Sequence, residues 1–425
     1  VAWGLTNSYG DWTDVVLLEL DPDDPDRYRT PEGWRRQTCV DEEIVVAGTE
    51  PATETVCETI WGPRLPDDDL GRPRALSWIA HHREAVSPVL RELETARSIE
   101  AVLAAANRAG VPPQNLVAAD SDGRIGWTIA GRIPARSGYD PDRPASWARA
   151  GIGWTGWLDA GDYPRIVDPP DGRIWTANAR VVDGDGLAAI GDGGYALGAR
   201  ARQIRDGLRS REWFSVADML AIQLDDQALF LERWRELAMQ VTAGDPAPGR
   251  ARFNALLATW EPRASVSSVG YRLVHEFRGR VLAQVFEGLT GPVREVDPGF
   301  GLKEGFRYGV GRQFAGPAWR LVTERPVHLL HPGYRDWDEL LLAAVDKTVS
   351  ELSEEGDLAE QTWGRKNTSA IRHPLSGALP WLSRWLDMVS EPLAGATHMP
   401  RVQQASFGAS ERFAVSPGRE DEGYF

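Results

Sequence analysis

The apolar pattern of this chain changes period twice, and that switching limits the folds open to it. Residues 1–65 carry partly alternating polar and apolar positions, as half-buried strands do. From about residue 200 to 289 the spacing lengthens to that of helices, and over 401–415 it shortens again to one or two strands. Strands, then helices, then strands point to an α+β chain with a sheet core and a helical insertion. With 425 residues the chain is long enough to bury a large core.

Local signals fill in this outline. Residues 39–47 and 53–61 read as two strands of a hairpin. Cys39 and Cys57, the only two cysteines, are symmetric about Gly48 and would face one another in a simple antiparallel register. A cross-strand disulfide and two buried thiols both satisfy that placement; a disulfide would fit an exported protein. Ser87-Pro88 reads as an N-cap and a first-turn proline opening a helix, with Leu90, Leu93, Ala96, Ile99 and Leu103 on one stripe. Residues 115–135 return to strand around an Asp120-x-x-Gly123 turn. Residues 136–172 read as irregular loop and 174–182 as a strand. Helices are expected over 200–208, 226–241, 251–257 and 268–289, with a capping box at Ser215-x-x-Asp218.

Charge excludes several classes of partner. Lys+Arg 47 against Asp+Glu 62 gives a net charge of −15, which disfavours nucleic acid and anionic membrane surfaces. No apolar run approaches the roughly eighteen residues a membrane span needs. The only lysines are Lys303, Lys347 and Lys366, so no catalytic lysine precedes Lys303. The glycine-rich stretch at 299–311 has neither a preceding strand nor a capped helix after it, unlike a phosphate loop.

A series of motifs then runs through the chain in order. It comprises Trp3-Gly4-x-Thr6-Asn7, Thr13-Asp14, Tyr28-Arg29-Thr30-Pro31-Glu32-Gly33-Trp34, Asn115-Leu-Val-Ala-Ala-Asp120-x-x-Gly123-x-Ile125-Gly126, Gly131-Arg-Ile-Pro134, Thr176-Ala-Asn178, Arg200-Ala-Arg202 and Ser406-Phe-Gly408-x-Ser410-x-Arg412. This ordered set resembles the catalytic β subunit of the penicillin acylase family, N-terminal nucleophile hydrolases that cleave amide bonds. The resemblance implies the family's four-layer αββα sandwich, here incomplete. It implies one intertwined domain, with a β-rich core over 1–205 (hairpin at 35–63), a mainly helical region over 206–395 and returning core strands over 396–425. In the family the nucleophile is a Ser, Cys or Thr at a new N-terminus, with its own α-amine as base. Here it is expected upstream of Val1, so that the chain is a part of the subunit cut at both ends.

The same resemblance implies the site. Asn178, the strongest of these assignments, falls on the Asn whose amide helps form the oxyanion hole; the alternative is an Asn capping the end of a strand. Asn7 falls where a backbone N–H supplies the second donor. Arg200 falls on an Arg near the active site, and on a helix it could also be an ordinary ion-pairing residue; Arg202 would point elsewhere. Leu5 and Tyr9 fall at acyl-pocket positions, although an aromatic there also suits core packing. Asp11, Asp14 and the Thr13 carbonyl, with Pro141 and more loosely Asp192, match the family's Ca²⁺ ligands. Read alone, Asp residues in such a turn cap backbone N–H groups. No organic cofactor is implied. Expected partners are a small α subunit from the same precursor and a small acylated substrate, in the periplasm or outside the cell.

That substrate could be a β-lactam side-chain amide or an N-acyl homoserine lactone. Two competing readings are a non-catalytic homologue that only binds acylated ligands and a Trp-rich carbohydrate binder, the chain having 18 Trp. Lesser features are a glycosylation sequon at Asn367-Thr-Ser369, adjacent His81 and His82 whose rings should diverge, and an acidic run over 21–26 that lacks the Gly and Glu of an EF-hand.

Overall fold

The computed structural model describes residues 1–297, 300, 310–409 and 411–424, with 310–312 as backbone only. By contact they form two compact units, Val1–Tyr195 and Ala196–Phe425. Lys303, Ser410 and nearly all of the 299–311 stretch lie outside the described residues. Among those described, no helix is long and apolar enough to cross a membrane.

The first unit holds the site and has two larger sheets, beside a three-stranded and a two-stranded one. One is antiparallel, with strands Ala2–Asn7, Gln114–Ala119, Ile125–Ala130 and Arg165–Val167 side by side. Its second and third strands join across the expected turn, where the Asp120 carboxylate accepts from the Asp122 and Arg124 amides. The Ile99–Arg108 helix covers one face, burying Ile99, Val102, Leu103 and Ala106 against Leu116, Ala118 and Ala130. It approaches so closely that a Cβ on Gly126 would lie 2.7 Å from Ile99 Cγ2. Trp127, Ile129 and Ile133 face the other way, against Tyr163 and Ile190.

The second sheet runs Ala145–Ser146, Thr13–Leu17, Arg74–Trp78, Gly62–Leu65, Ala52–Thr59, Thr38–Ile44. Its last two strands pair Cys39 directly with Cys57, and the two sulfurs are bonded. Every residue of Thr38–Ile44 is exposed, so this ribbon has little core of its own and the disulfide holds it together.

Three local expectations fail for identifiable reasons. The helix expected from Ser87 is two elements, a 3₁₀ helix over Pro88–Glu94 and the α-helix Ile99–Arg108. Ser98, rather than Ser87, provides the capping side chain; the Ser87 hydroxyl instead accepts from the Gly110 amide. Residues 174–182 are not a strand, because Asn178 takes φ 61° and turns the chain. The 136–172 region is less irregular than expected and contributes strands Ala145–Ser146, Gly153–Trp157 and Arg165–Val167.

The second unit is helical, as its spacing anticipates. Its central helix, Val269–Val296, starts where the Ser268 hydroxyl accepts from the Tyr271 amide. It buries Leu273, Phe277, Val281 and Val285 against Trp234, Phe253 and Leu341 from the surrounding helices. The Ser215–Asp218 capping box is present with both reciprocal bonds. Toward the end, Gln403–Gln404 pairs only with Phe407–Gly408, so among the described residues 396–424 supplies no strand to the first unit's sheets. The sequon Asn367 is 4 % exposed and donates its amide to three carbonyls, of Leu393, Gly395 and Gln403, which leaves it no room for a glycan.

Candidate active site

Hydrogen bonding gathers the residues at the end of the Ala2–Asn7 strand. The Asn7 carbonyl accepts from Asn178 Nδ2 at 3.0 Å and from Asn115 Nδ2 at 3.2 Å. Asn115 also donates to Thr6 Oγ1 at 3.1 Å, and Thr6 donates to Thr176 Oγ1 at 3.0 Å. Behind them the fully buried Trp127 donates its indole N–H to Asn115 Oδ1 at 3.1 Å. Asn7 and Asn178 lie far apart in sequence, and the fold brings them into direct contact. The Asn178 carboxamide is thereby held by its bond to the Asn7 carbonyl.

Backbone conformation marks the same place. Among the described residues only four non-glycines have positive φ, and two of them are Tyr9 (50°) and Asn178 (61°). Asn tolerates that region because its short side chain bonds locally, but a tyrosine is held there against its preference. The bend at Tyr9 is fixed by the Gly193 amide donating to the Tyr9 carbonyl and by the buried Ser8 hydroxyl donating to Pro113.

Next to this turn is an apolar pocket of about 440 Å³, lined among others by Asn7, Tyr9, Trp12, Trp78, Ile79 and Pro113. Asn7 belongs both to the hydrogen-bonded cluster and to the pocket rim. Tyr9 lines this pocket, whereas Leu5 is not part of its lining and is 43 % exposed on the strand. Arg200 lies in the first turn of the Ala199–Leu208 helix, within the second unit. Arg202 points outward and pairs with Asp206 at 3.7 Å.

The residues expected to hold calcium do not fit that ion. The Arg136 guanidinium lies between the two carboxylates: Nε donates to Asp14 Oδ2 at 2.8 Å, and Nη2 to Asp11 Oδ2 at 3.1 Å and the Asp11 carbonyl at 2.9 Å. Trp154 Nε1 adds a bond to Asp14 Oδ2 at 2.6 Å. Oxygens that would ligate a hard cation therefore accept from nitrogen donors, one of which already carries the positive charge. Burial pushes the Asp11 carboxyl up to about 6, against the lowering pull of Arg136. Asp192 pairs with Arg180 at 2.7 Å, and Pro141 is exposed. Among the described residues, no cluster of three or more His, Cys, Asp or Glu side chains is arranged to hold a metal.

Two important residues, Asn115 and Arg136, had no role assigned from sequence. Asn115 stands in the motif series, and a polar residue at the start of an otherwise apolar strand was an available signal. Nothing local marks Arg136.

The model of the penicillin amidase family matches residues 1–425. The chain belongs to this family. The "Penicillin acylase 2 proenzyme" of Pseudomonas sp. is 26% identical over 441 residues, covering 99% of this chain and 54% of that protein. An "Acyl-homoserine lactone acylase QuiP" of Pseudomonas fluorescens is 26% identical over 312 residues, covering 69% of this chain and 38% of its own length. The chain thus spans about half or less of these penicillin amidase relatives. Among solved structures, the thermostable penicillin G acylase from Alcaligenes faecalis matches with a TM-score of 0.63 at 20% identity, over 85% of this chain and 69% of that one. That likeness establishes the α+β fold of the family.

Proposed function

We propose that this chain forms the oxyanion-binding part of an amidohydrolase that cleaves the linear amide bond of a small acylated compound. The observation that carries the proposal is the Asn178–Asn7 hydrogen bond at the rim of an apolar pocket. Family membership and the name "penicillin acylase" on a relative matched over nearly the whole chain support it.

In the proposed reaction, an N-terminal hydroxyl or thiol from another part of the same precursor attacks the amide carbonyl carbon. Its own α-amine, which titrates near pH 8, takes the proton. Negative charge then collects on the carbonyl oxygen, where the Asn178 amide and the Asn7 N–H stabilise it. Collapse of this intermediate breaks the C–N bond, and the departing amine leaves with the proton. Water next releases the acyl group by the same steps. The pocket around Tyr9 and Trp12 takes an apolar acyl group, whether from a β-lactam side chain or, as the QuiP relatives' name suggests, an acyl homoserine lactone. Maturation into two subunits is inferred from the word "proenzyme" in the relative's name. An exported location agrees with the Cys39–Cys57 disulfide.

The test is Asn178→Ala in the intact, processed protein. The expected result is a drop in kcat of about 10²–10³-fold, the range for loss of one oxyanion donor. Unchanged turnover would remove Asn178 from the mechanism.

A further inference from the structure

The second unit contains a group of cationic side chains with no matching acid among the described residues. Phe230, Arg233 and Trp234 lie on one face of the Leu229–Val241 helix, three and four residues apart. The Arg233 guanidinium carbon is 4.7 Å from the centre of the Phe230 ring and 4.5 Å from that of Trp319. From the central helix, Arg278 reaches the same Phe230 ring at 5.3 Å and Trp234 at 5.9 Å. His398 packs against Phe230 from a third side, with ring centres 4.6 Å apart. Two guanidinium groups and an imidazole therefore surround one phenyl ring.

Charge around that ring is not balanced. Other arginines of this unit do have a carboxylate: Arg272 has Glu355, Arg280 has Glu276 and Glu351, and Arg250 has Asp245 and Asp346. Among the described residues no Asp or Glu lies within ion-pair distance of Arg233 or Arg278. The Nε of each is buried without a hydrogen-bond acceptor. Lost hydration lowers both guanidinium groups, Arg278 to about 10, and each still carries its charge at neutral pH. Burial, followed by the charges of Arg278, His275, Arg200 and Arg233, pushes His398 down to about 3, so it is neutral there. Two half-buried positive charges stacked on aromatic rings recover part of their lost hydration through the π faces, but the buried Nε–H of each remains unmet.

We infer that Arg233, Arg278 and the rings of Phe230, Trp234 and Trp319 form a binding site for a small organic carboxylate. A carboxylate supplies acceptors for the two buried Nε–H groups, in a geometry Arg matches well. The aromatic walls favour an acid with an apolar body over a fully hydrated inorganic ion. This inference goes beyond the proposed amidase reading and stands without it, since none of these side chains is placed in the oxyanion chemistry.

The experiment measures thermal shift and calorimetric binding on the intact protein at pH 7, with benzoate, its neutral isostere benzamide, and inorganic phosphate, at matched ionic strength. Saturable stabilisation by benzoate, none by benzamide, and about tenfold weaker benzoate binding in Arg278→Gln are expected; tenfold corresponds to about 1.4 kcal/mol for one charge-assisted pair. Should Arg278→Gln fail to fold, the His398 ring resonances of the unmodified protein at pH 7 decide: bound benzoate shifts them and benzamide does not. Equal effects of benzoate and benzamide, unmoved His398 resonances, or no benzoate binding because a carboxylate of the protein itself fills the place would overturn the inference. Phosphate binding in preference to benzoate would overturn the carboxylate assignment. Amide hydrolysis is measured separately with Asn178→Ala, so failure of either reading is recognisable.

Discussion

Arg136 Nε lies 2.8 Å from Asp14 Oδ2, and both side chains are almost sealed from solvent, at 12% and 3% exposure. A guanidinium in that position, also bonded to Asp11, satisfies with a single covalently attached cation the oxygens at the base of the active-site turn.

Removing that cation should be costly. Arg136→Met leaves the Asp14 carboxylate buried and uncompensated, for which about 3–5 kcal/mol of destabilisation is expected. Urea unfolding of the variant measures it. Incubation with EDTA should leave the melting temperature of the unsubstituted protein unchanged; a drop on chelation, reversed by added Ca²⁺, would show that the ion has a place after all.

Asn115 is expected to behave as a positioning residue. Asn115→Ala leaves Trp127 Nε1 without its acceptor and withdraws one of the Asn7 carbonyl's donors, so about 1–3 kcal/mol of stability should be lost. Because the substrate does not touch Asn115 in the proposed reaction, kcat should fall while KM changes little. A variant with lowered stability but unaltered kcat would limit Asn115 to a structural role.

Opening the Cys39–Cys57 bond should act locally. In Cys39→Ser/Cys57→Ser, amide hydrogen exchange should accelerate across Thr38–Ile44 and Ala52–Thr59 and remain slow in Ile125–Ala130, whose residues are almost all buried. Uniform acceleration in both sheets would instead mean that the ribbon supports the whole first unit.

Acid should destabilise the helical unit through His398. Its pKa is about 3 in the fold, below the ordinary value near 6.5, so the unfolded chain binds the extra proton. Stability from this group is complete above about pH 6.5 and is lost as pH falls toward 3, by up to about 1.4 kcal/mol per pH unit. His398→Gln should give a shallower acid limb in the pH dependence of the urea midpoint. An unchanged limb would shift the effect to the neighbouring His275.

The sequence made the short-range parts of this molecule readable. The Cys39–Cys57 pairing, the Asp120 turn and the Ser215 capping box depend on residues a few positions apart or symmetric about one turn, where spacing determines geometry. The motif series brought out Asn7 and Asn178 as candidates, but not their mutual bond, and periodicity mistook the bend at Asn178 for a strand. Arg136 was out of reach for a different reason: its partners precede it by 122 and 125 residues, and a lone arginine gives no sign of which carboxylates it will meet. The break in the expected helix after Glu94 was hidden because its apolar stripe continues through the break.

The Thr38–Ile44 strand is the outer border of its six-stranded sheet among the described residues, and it carries Asp41, Glu42 and Glu43 in succession. Backbone groups along such a border would otherwise recruit a strand from a second molecule. Three consecutive negative charges make a like copy repel itself at that line, so the ribbon can project into solvent without seeding fibrous self-association.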